Sequence, residues 1–135
     1  MLDVKKTVTK LIENTEIRTL LWTNPSPTSA FISQTIPLSL DDYDEVEIIY
    51  KWTTSSQDTK SVRSEIGGSA RAESLLVSGT SNIQFASRDF SVSSVGINVA
   101  VANYAYTDYV QWYKYSGGAG NDLIIPLKIY GIKRV

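Results

Sequence analysis

Between positions 104 and 115 the chain places six aromatic residues: Tyr104, Tyr106, Tyr109, Trp112, Tyr113 and Tyr115. Asn103, Asp108, Gln111 and Lys114 are interleaved or adjacent, and the flexible run Ser116-Gly117-Gly118-Ala119-Gly120-Asn121-Asp122 follows. Tyrosine and tryptophan offer a flat apolar face and a polar edge. A sugar ring needs both, since its C–H groups stack on the face while Asp, Asn and Gln bond its hydroxyls. Rigid aromatics beside adaptable Gly and Ser also match the composition of protein-binding paratopes. The candidate saccharide-binding residues are Tyr106, Asp108, Tyr109, Trp112 and Tyr113. Of these, Asp108, Tyr109 and Trp112 fall in the least regular part of the stretch. The competing reading is packing: tyrosine is at home in strands, and these rings would equally fill a core, an edge or a subunit contact.

Other chemistries are narrowed by what the chain lacks. It has no histidine and no cysteine. Histidine is the usual general base near neutral pH and the commonest metal ligand. Serine-triad, cysteine-protease and typical zinc chemistries are therefore excluded. Asp41, Asp42, Asp44 and Glu45 form an acidic cluster, but an EF-type loop needs a glycine at its sharp turn and a glutamate at fixed distance. Neither is present, and an Asp-rich turn bonding its own backbone is the better reading. A glycosidase needs two facing carboxylates. Glu65, Glu73, Asp89 and Asp108 are the candidates, and nothing in their spacing pairs any two. Ser64-Glu65, Arg71-Ala72-Glu73 and Arg88-Asp89 read as solvated strand faces or surface ion pairs. Gly67-Gly68 and Gly117-Gly118 lack the Gly-Lys-Ser/Thr of a phosphate loop and read as turns. No catalytic residue, cofactor or metal is expected, and the chain is not expected to be an enzyme.

The elements that would position these residues are mostly strands. Asp3–Asn14 is the exception, a short helix with Val4, Val8 and Leu11 on one seam, able to dock on the domain or to form a dimeric or trimeric coil. Strands are expected at Ile17–Trp22, Phe31–Leu40, Glu45–Thr54, Ser61–Ile66, Arg71–Ser78, Asn82–Ser93, Gly96–Ala102 and Leu123–Lys133. The clearest is Glu45–Thr54, where Val46, Ile48, Tyr50 and Trp52 alternate with Glu45, Glu47, Ile49 and Lys51. Pro37 marks the second strand as a sheet edge. In the last strand Leu123, Ile125, Leu127 and Ile129 share a face. About eight short strands with regular turn signals point to an all-β antiparallel sandwich or barrel of jelly-roll type. The organisation expected is an N-terminal arm or stalk remnant at 1–15 and a single β-sandwich domain at 16–135.

Hydrophobic residues make up 42% of the 135, enough for a core of that size, and charged residues 20% with a net charge of −1. That balance gives no electrostatic case for nucleic acid or an anionic membrane. No apolar run approaches the ~20 residues of a membrane span. Met1-Leu2-Asp3-Val4-Lys5-Lys6 does not lead into an apolar run, so no signal peptide is expected.

Three segments carry a resemblance. They are Leu21-Trp22-Thr23-Asn24-Pro25-Ser26-Pro27-Thr28-Ser29-Ala30-Phe31, Leu40-Asp41-Asp42-Tyr43-Asp44-Glu45-Val46-Glu47-Ile48, and the closing Ile125-Pro126-Leu127-Lys128-Ile129-Tyr130-Gly131-Ile132-Lys133. Together they resemble a domain of small tail and minor structural proteins from phages and prophages of Gram-positive bacteria. The likeness covers roughly Leu21–Lys133, with its motifs at the two ends. It implies a virion protein of the phage tail, made in the bacterial cytoplasm, at a baseplate or fibre tip. It implies a homo-oligomer, a trimer favoured, among other tail or baseplate proteins. It also implies either a receptor-binding module for host cell-wall polysaccharide or a purely structural subunit. No functional residue is transferred from the family, so the aromatic candidates rest on their own chemistry.

Overall fold

The computed structural model describes residues 15–78, 82–107, 112–115 and 121–135. Among them are ten strands and no helix: β1 Glu16–Thr23, β2 Gln34–Pro37, β3 Glu45–Thr53, β4 Thr59–Glu65, β5 Ser69–Ser78, β6 Asn82–Ser93, β7 Gly96–Val99, β8 Asn103–Thr107, β9 Trp112–Tyr115 and β10 Leu123–Arg134. The expected helix at Asp3–Asn14 lies outside the described residues. So do Asp108, Tyr109 and most of the glycine-rich run after Tyr115.

The strands form two antiparallel sheets packed face to face, as the all-β expectation requires. One sheet has the order β1-β10-β3-β4; the other has β2-β7-β6-β8-β9, with β5 on the free side of β6. The chain passes between sheets at β1–β2, β2–β3, β4–β5 and β9–β10. One core joins the layers. Val46, Ile48, Ile124, Ile125 and Ile129 meet Ala86, Phe90, Val92, Ile97 and Val99, with Leu40 and Ile36 closing one side. Each such aliphatic or aromatic side chain contributes about 1.5–3 kcal/mol when fully buried.

The two ends of the chain are one structural unit. β1 lies antiparallel to β10, Glu16 opposite Arg134 and Thr23 opposite Lys128. At the end of β1, Asn24 is buried and bonds three ways. Its N–H donates to Leu127 O at 2.8 Å and its Nδ2 to Pro126 O at 2.8 Å, while its Oδ1 accepts from Ser26 N at 2.8 Å. The Asn24-Pro25-Ser26-Pro27 turn is thus an Asx turn stitched to the far end of the chain. Trp22 and Phe31 flank it edge to face, their centroids 5.9 Å apart.

β3 keeps the alternation read from sequence, except that Glu47 and Lys51 of the outward set are both buried. Glu47, on the outward face, is only 8% exposed. Arg18 and Arg63 close over it as ion-pair partners, and the Arg18 guanidinium lies 3.7 Å above the Tyr130 ring. β2 pairs only with β7, so Pro37 does sit on an edge strand. β10 departs from the expected single apolar face. Its register against β3 slips between Pro126 and Lys128, and Ile124 has a left-handed backbone, φ 52°. The phase therefore changes along the strand. Ile124 and Ile125 are both fully buried, whereas Leu123 and Leu127 are only partly so.

The larger departure is Arg88. Sequence places it with Asp89 on a solvated face, and Asp89 does make a surface pair there, its Oδ1 2.8 Å from Arg71 Nε. Arg88 instead points inward and is 0% exposed. It alternates in phase with the buried Ala86, Phe90 and Val92, and the pairing of β6 sets its surroundings. Along one edge β6 runs beside β5 from Asn82 to Ser91. Along the other it is shared, with β8 on Ile83–Ser87 and β7 on Phe90–Ser93. Arg88 occupies the fork between those partners, where neighbouring carbonyls lose their ladder partners. Its Nε donates to Ala100 O at 2.6 Å, its Nη1 to Leu123 O and Ile124 O at 3.3 Å each, and its Nη2 to Phe31 O. No carboxylate among the described residues pairs with it. Burial pushes the guanidinium down to about 10, still far above neutrality, so a charged group feeds four carbonyls.

Candidate functional site

Within the aromatic segment, β8 and β9 pair antiparallel. Tyr104 faces Tyr115 across the pair, Tyr106 faces Tyr113 and Thr107 faces Trp112. Aromatic and β-branched residues suit a pleated surface, which is why this stretch extends the sheet. Of the five candidate residues, Tyr106, Trp112 and Tyr113 therefore sit on paired strands, with Tyr106 and Tyr113 as direct partners. Asp108 and Tyr109 lie outside the described residues.

Beside this strand pair the two sheets part at one end and leave a groove of about 870 Å³. Lys51, Trp52 and Thr53 of β3 form one wall, continued by Ser56, Gln57 and Asp58 of the turn and Thr59 and Lys60 of β4. The second sheet supplies Ser74 and Leu75 of β5, Gln84 of β6 and Tyr104 of β8. Asp122 and Leu123, where the chain enters β10, close the remaining side.

Local bonding makes these walls firm. In the β3–β4 turn Ser56 N donates to Thr53 O at 3.2 Å, and Thr53 N donates back to Ser56 Oγ at 3.1 Å. The two hydroxyls are 2.9 Å apart, and Lys51 Nζ donates to Thr54 O at 2.9 Å. At the inner end Tyr50 bridges the sheets. Its hydroxyl donates to Glu73 O at 3.0 Å and accepts from Glu73 N at 3.3 Å. Tyr50 is 4% exposed, and burial, the largest influence, holds its phenol above the ordinary 10.0.

The chemistry on offer is mixed. Trp52 and Tyr104 are half-buried and present ring surface, while Gln57, Gln84, Asp58 and Asp122 offer amide and carboxylate edges. Lys51 and Lys60 balance the two aspartates, so the lining has no net charge. A concave site of this volume with aromatic walls and a few polar groups is the usual form of a small-ligand or saccharide site. Asn121, next to Asp122, has a buried Oδ1 with no hydrogen-bond partner among the described residues.

Of the carboxylates singled out from sequence, Glu65, Glu73 and Asp89 do not meet here, and Asp108 lies outside the described residues. Asp89 is committed to Arg71. Glu65 and Glu73 are exposed, and neither lines the groove. Asp58 and Asp122 line it instead. In the acidic turn, Asp44 Oδ2 accepts from Arg134 N at 2.7 Å, and Lys133 Nζ donates to Asp42 O at 3.0 Å. That turn caps the end of β10 as well as its own strand. Sequence reasoning missed Trp52, which alternation assigns to the core. The available signal was its position one residue before the polar run Thr53–Lys60, where a strand's inward face reaches the rim.

No family model, curated protein or solved structure matches the chain.

Proposed function

We propose that this protein is a non-enzymatic binding module of a phage tail that engages a cell-surface saccharide through the groove between its sheets. One observation carries the reading: Trp52 and Tyr104 share a groove with Asp58, Asp122, Gln57 and Gln84. Stacking faces beside hydroxyl-binding edges are what a sugar chain requires. The tail context rests on the resemblance of Leu21–Phe31, Leu40–Ile48 and Ile125–Lys133. In that setting the protein is a homo-oligomer, a trimer favoured, among other tail or baseplate subunits. Several copies on one particle multiply a weak single site. The test is adsorption of purified protein to Gram-positive cell walls and to their isolated polysaccharides. Trp52→Ala and Tyr104→Ala should each abolish retention while leaving the fold intact; retention equal to the parent chain would refute the groove.

A second reading, a purely structural tail subunit, is favoured by a different surface. On the outer side of the six-stranded sheet Ile83 is 37% exposed, and Leu75, at the groove's rim, is 60% exposed. Leu75 is the cross-strand partner of Phe85, which is paired in turn with Ala105. Tyrosine-rich and apolar surfaces also occur at subunit contacts. Under this reading Ile83→Ser, which lies off the groove, weakens assembly, measured by light scattering, and leaves saccharide retention untouched.

A further inference from the structure

Ile124 combines two features that rarely meet. It is β-branched and fully buried, and its backbone is left-handed, φ 52°. Such a conformation is a genuine outlier for a β-branched residue and persists only when its surroundings over-determine it. The surroundings are Arg88. Its Nη1 holds Ile124 O and Leu123 O, and its Nη2 holds Phe31 O. Phe31 N in turn donates to Asn121 O at 2.8 Å. Both ends of 121–124 are therefore fastened, one by the guanidinium directly and one through Phe31. The segment between carries Asp122 and Leu123, which line the groove.

We propose that Arg88 is the positioning residue of the groove, fixing Asn121–Ile124 as a preformed wall against which ligand binds without reordering. This rests on the groove being the binding site. Arg88 touches no ligand itself, being wholly enclosed. Its five N–H donors in a fixed fork suit the task, since one planar group reaches carbonyls from three separate segments. A lysine keeps the charge but not the fork. The arrangement also accounts for a buried cation without a carboxylate: it stands where a turn has to be held against its own preference.

Amide hydrogen exchange followed by mass spectrometry or NMR tests the clamp without any ligand. In the parent chain the amides at 122–124 should exchange as slowly as those of β3. In Arg88→Lys they should speed up at least tenfold more than the amides of Val46–Tyr50. Equal acceleration of both sets would mean Arg88 supports only global stability and would overturn the proposal. Should Arg88→Lys fail to fold, the parent decides alone: rapid exchange at 122–124 overturns the clamp. A second arm measures retention on wall polysaccharide. Arg88→Lys should lose about tenfold in affinity at a temperature where it is fully folded, and unchanged affinity would contradict the positioning role. If the parent binds no polysaccharide, the saccharide reading fails, and the exchange data still judge the clamp.

Discussion

Replacing Arg88 by methionine should cost this protein about 3–5 kcal/mol, a large part of the ~5–15 kcal/mol that holds a typical domain together. Methionine keeps an unbranched, polarizable stem in the same space, so the loss is chiefly polar. Four carbonyls, on Phe31, Ala100, Leu123 and Ile124, lose their donor. Each buried acceptor left without a partner costs about 1–3 kcal/mol. Relief of the buried cation's desolvation, several kcal/mol, offsets part of that. Left-handed strain at Ile124 then has nothing to hold it. With a urea slope of about 1–3 kcal/mol per molar, the unfolding midpoint should fall by roughly 2 M. The assay is urea unfolding followed by far-UV circular dichroism and tryptophan fluorescence together. A midpoint within about 0.5 M of the parent would refute the reasoning, because such a shift is too small for four orphaned carbonyls.

Four further outcomes follow from the geometry. Asn24→Ala removes a side chain that bonds Pro126 O and Ser26 N, and should lower stability by about 1–3 kcal/mol in the same urea assay. Gly96→Ala should detach β2 from β7, since the added Cβ would sit 2.4 Å from Ile36 O; faster exchange at Gln34–Ile36 would report it. Tyr50 gives a pH dependence. Its phenol is held above 10.0 in the fold, so its contribution to stability is complete below that value and is lost as pH rises through the folded value. Tyr50→Phe should therefore lose less stability than the parent does as pH rises above 10, while costing about 1 kcal/mol at neutral pH for the lost bridge to Glu73. Leu75→Ser, at an exposed position of β5, should leave the unfolding free energy within about 0.5 kcal/mol of the parent's in the urea assay.

Local pattern was sufficient wherever a strand has one dry and one wet face. Val46, Ile48 and Tyr50 alternate on β3, and Pro37 marks an edge, because both facts are carried by neighbouring residues. Three features exceeded that range. Arg88 faces inward because it alternates in phase with Ala86, Phe90 and Val92, but the fork between β8 and β7 beside it leaves no trace in its neighbours. The phase of β10 shifts at Pro126–Lys128 because β3 is paired with an offset, which the alternation of β10 alone cannot reveal. Trp52 lines a groove because β5, β6 and β8 arrive opposite it from distant parts of the chain. For the candidate groove, the aromatic stretch contributes Tyr104, which was not among the five residues singled out from sequence. The opposing wall came from Trp52, which read as core, and from Gln57 and Asp58 of a turn that read only as polar.

The central claim is that the groove holds a saccharide, and its most direct test is NMR on protein with labelled tryptophan side chains. The three indoles, Trp22, Trp52 and Trp112, report on separate places: the packed end of β1, the groove, and β9. Titration with solubilised Gram-positive wall polysaccharide should shift the Trp52 indole signal in a saturable way and leave Trp22 unmoved. An unchanged Trp52 signal at saturating polysaccharide, or a shift confined to Trp22, would contradict the account.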